Sequence, residues 1–138
     1  MGAEVLTFSC DVGDEPGMKA VISAAEQRWG RIHGVIHSAG LISGSTFDLA
    51  DNLDPDICQR QFQAKVFGTL VLEKLFREKS LDFCWLMSSI AAVLGGLQFS
   101  AYAAANAFMD ALACQLKHNS QRHWLSVDWD GMSEGNTI

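Results

Sequence analysis

Four side chains in this 138-residue chain are of types that could share one reaction: Lys65, Ser89, Tyr102 and Asn106. Tyr102 and Asn106 stand four residues apart in the Ala-rich stretch "YAAANAFMDALA" (102–113), which reads as a helix, so both lie on one face of it. Ser89 closes the apolar run "LDFCWLMSS", and Lys65 sits in "FQAKVFGTLVL". The chemistry such a set could serve is reduction of a ketone by a bound hydride donor. As hydride reaches the carbonyl carbon, negative charge builds on the oxygen. A proton donor must lie within hydrogen-bond reach of that oxygen, and a second donor should hold it. A tyrosine can be the acid, although its ordinary pKa is about 10. A nearby cation lowers that value by favouring the phenolate. Tyr102 would be the acid, Ser89 the second donor and Lys65 the cation, which could also hydrogen-bond a cofactor ribose.

The elements that must position these groups alternate along the chain. "EVLTFSCDV" reads as a strand ending at Asp11, and "DEPGMKAVISAAEQRWG" as a helix. In that helix Met18, Val21, Ile22, Ala25 and Trp29 recur at helical spacing, and Gly30 can close it. "GVIHSAG" is a short buried strand feeding a turn, and "LISGSTFDLADNL" is a polar loop. Asp54-Pro55 supplies an N-cap and a first-turn proline for the long helix "DICQRQFQAKVFGTLVLEKLFREK". "LDFCWLMSS" is a strand, "IAAVLGGLQ" a loop, "FSAYAAANAFMDALACQLKH" a helix and "HWLSVDW" the last strand. Apolar strands alternating with helices predict an α/β fold: a Rossmann-like parallel sheet with helices on both faces and right-handed crossovers. Ligand groups gather at strand carboxyl ends in such sheets. Here those ends are Asp11, Ser38-Ala39-Gly40, Ser88-Ser89 and Asp128-Trp129.

Composition narrows the remaining classes. Hydrophobic residues at 49% against 19% charged exclude a disordered chain. The net charge of −6 without a basic stripe argues against nucleic-acid binding. Cys10, Cys58, Cys84 and Cys114 are widely spaced and form no CxxC pair, which argues against a zinc site or a disulfide framework and suits a reducing, cytoplasmic location. His33, His118 and His123 have no metal-ligand spacing, and His37 reads as a satisfied strand histidine. The N-terminus lacks the basic region of a signal peptide, and the longest apolar run is too short to span a membrane.

With those residues in view, the chain resembles the ketoreductase domain of modular polyketide synthases, a branch of the short-chain dehydrogenase/reductases. "CDVGD" resembles the family's adenine-contacting turn, "GVIHSAG" its fourth-strand motif and "FQAKVFGTLVL" its lysine helix. "LMSSIAAVLGGLQFSAYAAANAFMDALA" resembles its serine–tyrosine segment and "SVDWDGM" its last strand. The interval of thirteen from Ser89 to Tyr102 is the family's, which selects Ser89 over Ser88. Asparagine four residues after the tyrosine, with lysine on an earlier helix, is the pattern of the ketoreductase branch. The resemblance implies catalysis by Ser89, Tyr102, Lys65 and Asn106, with Asn106 ordering the lysine and a water relay. It implies an NADPH site made from Asp11, Val12, Ser38, Ala39, Gly40, Lys65 and Tyr102. Read without the resemblance, Asp11 could equally cap the turn that follows it. The implied substrate is a β-ketoacyl chain on the phosphopantetheine of an acyl carrier protein.

The sequence also departs from the family. No GxGxxG or TGGxGxxG turn follows a first strand, so the expected fold is incomplete, lacking its first two strands and the Gly-rich turn that grips pyrophosphate. Residues 1–138 are expected to be a partial ketoreductase domain whose partner is the missing N-terminal part, and which alone binds NADPH poorly and is inactive. The alternative is a non-catalytic remnant or half-domain that docks a partner. Ile42, Ser43 and Gly44 replace the Leu-Asp-Asp marker of one stereochemical class, and Leu94 stands where others carry tryptophan. Asp130 follows Trp129 where the family usually has glycine.

Overall fold

The computed structural model describes residues 2–41, 49–120 and 123–130. Helix α1 spans Glu15–Trp29, begins with Glu15 and Pro16 in its first turn and ends at Gly30, whose φ of 81° only glycine adopts readily. Helix α2 (Pro55–Phe62) is capped as the sequence predicts: the Asp54 carboxylate accepts the Ile57 N–H at 2.8 Å. The chain then passes through a π-turn, Gln63–Phe67, closed by the Gly68 N–H on the Gln63 carbonyl, and continues as α3 (Gly68–Phe76). The short α4 (Ala91–Leu94) falls where a loop is expected, and α5 runs Ser100–Ser120.

Strands β1 (Gly34–His37), β2 (Phe83–Ser89) and β3 (Trp124–Trp129) form a parallel sheet in sequence order. Register places His37 beside Leu86 and Leu86 beside Ser126; one residue earlier, Ile36 meets Trp85 and Trp85 meets Leu125. This is the open, incomplete parallel Rossmann-like sheet that the pattern predicts.

Two expectations change in detail. Residues 4–11, predicted as a strand, adopt no regular secondary structure, and Val5, Leu6 and Phe8 are exposed. A strand needs a neighbour to take its ladder hydrogen bonds, and none of the three strands pairs with this segment. It is tied down by side chains instead. Glu4 accepts hydrogen bonds from Arg28 and Trp29, and Val12 lies so close to Gly68 that a Cβ there would come within 2.5 Å of it. Secondly, the helices among the described residues pack on one face of the sheet. Cys84, Leu86 and Trp124 join Ile22, Leu72, Phe76 and Met109 in the core, while Ile36, Trp85 and Leu125 point the other way and are exposed. Right-handed crossovers between parallel strands laid down in one direction put every connecting helix on the same side.

Candidate active site

Lys65 owes its position to the π-turn. Ile57, Gln61, Lys65 and Thr69 are all buried, at strict intervals of four. Over twelve residues a regular α-helix would drift about 120° from such a stripe. The extra residue of the π-turn takes up most of that drift, and Lys65 stays on the inner face. The Thr69 hydroxyl donates to the Lys65 carbonyl on the same stripe. Turns of this kind recur at functional sites. Sequence reading missed this one because its marker is a buried stripe whose last three members are polar, which no hydrophobic periodicity reveals.

The Lys65 ammonium donates to the Met87 carbonyl at 3.0 Å and stands 5.6 Å from the centre of the Tyr102 ring, a cation–π arrangement. Its stem lies against Gly40, where a Cβ would meet Cε at 2.9 Å. Burial lowers its pKa to about 8, and the negative charge of Asp110 opposes the shift. Beside it, His37 is buried, and its Nε2 lies 3.1 Å from the Ala64 carbonyl. Burial and the Lys65 charge bring its pKa down to about 4 against the effect of that hydrogen bond, so the ring is neutral and donates through Nε2. This is the satisfied strand histidine the sequence predicts.

The two serines at the end of β2 differ in where their protons go. Ser88 donates to the Asn106 carbonyl at 3.4 Å, whereas Ser89 accepts the Ala91 N–H at 3.2 Å. A hydroxyl that accepts from the backbone keeps its own proton to give. Ser89 and Tyr102 line the same cleft of about 490 Å³, with Ile90, Leu94, Phe99 and Trp129 as its apolar walls. Asn106 is fully buried; its Nδ2 donates to the Tyr102 carbonyl at 2.8 Å, and its Oδ1 has no hydrogen-bond partner among the described residues.

A second cleft, of about 310 Å³, is lined by Asp11, Val12, Ala39, Gly40, Arg60 and Gln63. Asp11 accepts the Gly13 N–H at 2.8 Å and the Gln63 amide at 3.3 Å, so it caps its own turn while bordering this space. Ser38 follows β1 and is exposed. The structure therefore brings Lys65 onto Tyr102, places Ser89 in the Tyr102 cleft, and collects Asp11, Val12, Ala39 and Gly40 in the other. It does not hydrogen-bond Asn106 to Lys65, whose ammonium is taken by Met87. Ile42, Ser43 and Gly44 lie outside the described residues. Among the described residues no cluster of His, Cys, Asp and Glu could hold a metal, and no helix is long and apolar enough to cross a membrane.

A parallel α/β sheet with a tyrosine, a serine and a buried amine gathered at its carboxyl edge defines a protein of the Rossmann-like α/β class. Within that class the chain belongs to the KR-domain family, whose family model matches residues 1–134. It is 36% identical to polyketide synthase PksN of Bacillus subtilis over 97% of its own length and 2% of that protein. Among solved structures it resembles an N-terminal ketoreductase from the macrolactin assembly line, at TM-score 0.84 and 34% identity, covering 94% of this chain and 26% of that one. A ketoreductase domain from the bacillaene assembly line gives TM-score 0.85 and 30% identity, with 97% and 33% covered. The chain thus spans a small part of the synthase and about a quarter to a third of the ketoreductase chains.

Proposed function

We propose that this chain carries the proton-delivering part of an NADPH-dependent ketoreductase acting on a β-ketoacyl chain held by an acyl carrier protein of a polyketide synthase. The observation that carries the reading is the convergence of Ser89 and Tyr102 on one apolar-walled cleft, with the Lys65 ammonium over the Tyr102 ring. The Tyr102 hydroxyl would give its proton to the ketone oxygen, and the phenolate left behind would lie beside a cation. Ser89, oriented by the Ala91 N–H, would donate the second hydrogen bond to the same oxygen. Ile90, Leu94, Phe99 and Trp129 would exclude water and accept the aliphatic part of the acyl chain.

The residues present fit two parts of the cofactor. Gly40 leaves room for Lys65 to lie along the Ser38-Ala39-Gly40 turn, and the unpaired Asn106 Oδ1 calls for a donor, since a buried amide oxygen left alone is costly. Asp11 and Val12 border a cleft suited to a flat ring. When bound, the dihydronicotinamide supplies the hydride. The Gly-rich phosphate turn is absent from the sequence, so residues 1–138 would be a partial ketoreductase domain that needs that turn from elsewhere.

The test joins these residues to the Gly-rich half of a related ketoreductase and follows NADPH oxidation on a β-ketoacyl thioester. Tyr102→Phe is expected to lower turnover by about two to four orders of magnitude, the range of a lost general acid, with NADPH affinity nearly unchanged. Turnover close to the unaltered protein would refute the assignment. A joined domain that binds NADPH and reduces nothing would favour the non-catalytic half-domain.

A further inference from the structure

Asp110 is not among the residues that line the Ser89–Tyr102 cleft. It lies on α5 one turn beyond Asn106 and two beyond Tyr102, on the same flank of the helix. Its carboxylate accepts a hydrogen bond from the Ser126 hydroxyl of β3. Ser126 is paired in register with Leu86, the residue before Met87, and the Met87 carbonyl holds the Lys65 ammonium. Asp110 and Lys65 thus approach the carboxyl half of β2 from its two sides, both on the helix-covered face.

We propose that Asp110 is a positioning residue: its carboxylate, fixed on Ser126, faces Lys65 across β2 and keeps the ammonium charged above the Tyr102 ring. This rests on the ketoreductase reading only for its purpose, since a neutral amine would no longer favour a Tyr102 phenolate; the electrostatic claim stands by itself. The charge needs such support. Lys65 is 5% exposed and its pKa falls to about 8 through burial, with Asp110 the group that opposes the fall. Among the described residues, β1 presents His37 to Lys65, neutral and buried, β2 presents a carbonyl and α5 the Tyr102 ring; the carboxylate of Asp11, in the cleft beyond Gly40, is bound by the Gly13 N–H and the Gln63 amide. An Asp–Ser hydrogen bond fixes where the carboxylate sits without cancelling its charge, because the serine proton is shared and not transferred.

The test is an NMR titration of the lysine side chains in the 138-residue chain, which needs no cofactor and no turnover. The Lys65 midpoint is expected near pH 8. Asp110→Asn should lower it by about half a unit or more, because an opposing charge has become a neutral amide of the same shape. Asp110→Glu, which restores the charge, should return it to the starting value. An unmoved midpoint in Asp110→Asn would overturn the proposal, as would a fall in Asp110→Glu as large as in the amide variant, which would mark a packing effect. If the amide variant does not fold, Ser126→Ala decides: it keeps the Asp110 charge and removes the hydroxyl that fixes it, so the Lys65 midpoint should fall, and an unmoved midpoint would refute the positioning role. Loss of the ketoreductase reading would leave every one of these outcomes interpretable.

Discussion

Two neighbouring rows of the sheet have opposite surroundings. The row His37–Leu86–Ser126 lies under the helices, with His37 and Leu86 buried and Ser126 bonded to α5 through Asp110. The row Ile36–Trp85–Leu125, one residue earlier on each strand, is more apolar, yet its members are 58%, 43% and 50% exposed. Side-chain chemistry therefore does not decide which row is buried. Pleating sends alternate residues to opposite faces, and the direction of the crossovers decides which face the helices cover. The polar row is the one that carries the site, because a histidine and a serine on the covered face can bond to helix groups that also hold Lys65 and Asn106. An apolar row on the open face has the composition of a strand buried on both sides.

The largest test of this contrast is Leu86→Ala. Leu86 is wholly buried between Met109 and the other core side chains, and removing it should cost about 3 kcal/mol in denaturant unfolding, in the middle of the range for such truncations. A loss below about 1 kcal/mol would mean that the covered face is not packed as described.

The covered row also makes a prediction about acid. His37 is held neutral in the fold, with its pKa lowered from 6.5 to about 4, mainly by burial. Between these values the unfolded chain binds a proton that the folded chain does not, so stability rises with pH across this window and is lost as pH falls from about 6.5 to 4. The shift corresponds to a loss on the order of 3 kcal/mol. His37→Gln keeps an amide donor for the Ala64 carbonyl and should flatten the melting temperature between these pH values. An equally steep acid limb in that variant would assign the loss to other groups.

How far the sequence reached follows from the same physics. Helices α1, α2 and α5 and the three strands were legible because their apolar periods, caps and closing glycine are local. The N-terminal segment carries the pattern of a strand, but pairing is not local, and among the described residues no strand takes its ladder hydrogen bonds. Ser89, Tyr102 and Lys65 could be named from residue types and family spacing. Their geometry could not: the π-turn that faces Lys65 inward, the Ser88 bond that leaves Ser89 as the free donor, and the Asp110–Ser126 bond all depend on elements far apart in the chain. For Asn106 the resemblance implies the ordering of Lys65 and a water relay, and the direct bonds of the two side chains add what spacing does not show: the Asn106 amide donates to the Tyr102 carbonyl in its own helix, and Lys65 donates to the Met87 carbonyl.

The smallest expected effect is the one most specific to the open face. Replacing Ile36 and Leu125 together with threonine keeps the β-branching or strand propensity of the positions and removes two large apolar side chains from the exposed row. If that face meets water in the isolated chain, little burial is lost, and unfolding should change by less than about 0.5 kcal/mol. Self-association seen by light scattering should fall, since a contiguous apolar patch has been broken. A destabilisation above about 1 kcal/mol would show instead that something covers the face in solution. Concentration then separates the two candidates: a second copy gives an effect that fades on dilution, and a segment of the same chain gives one that does not.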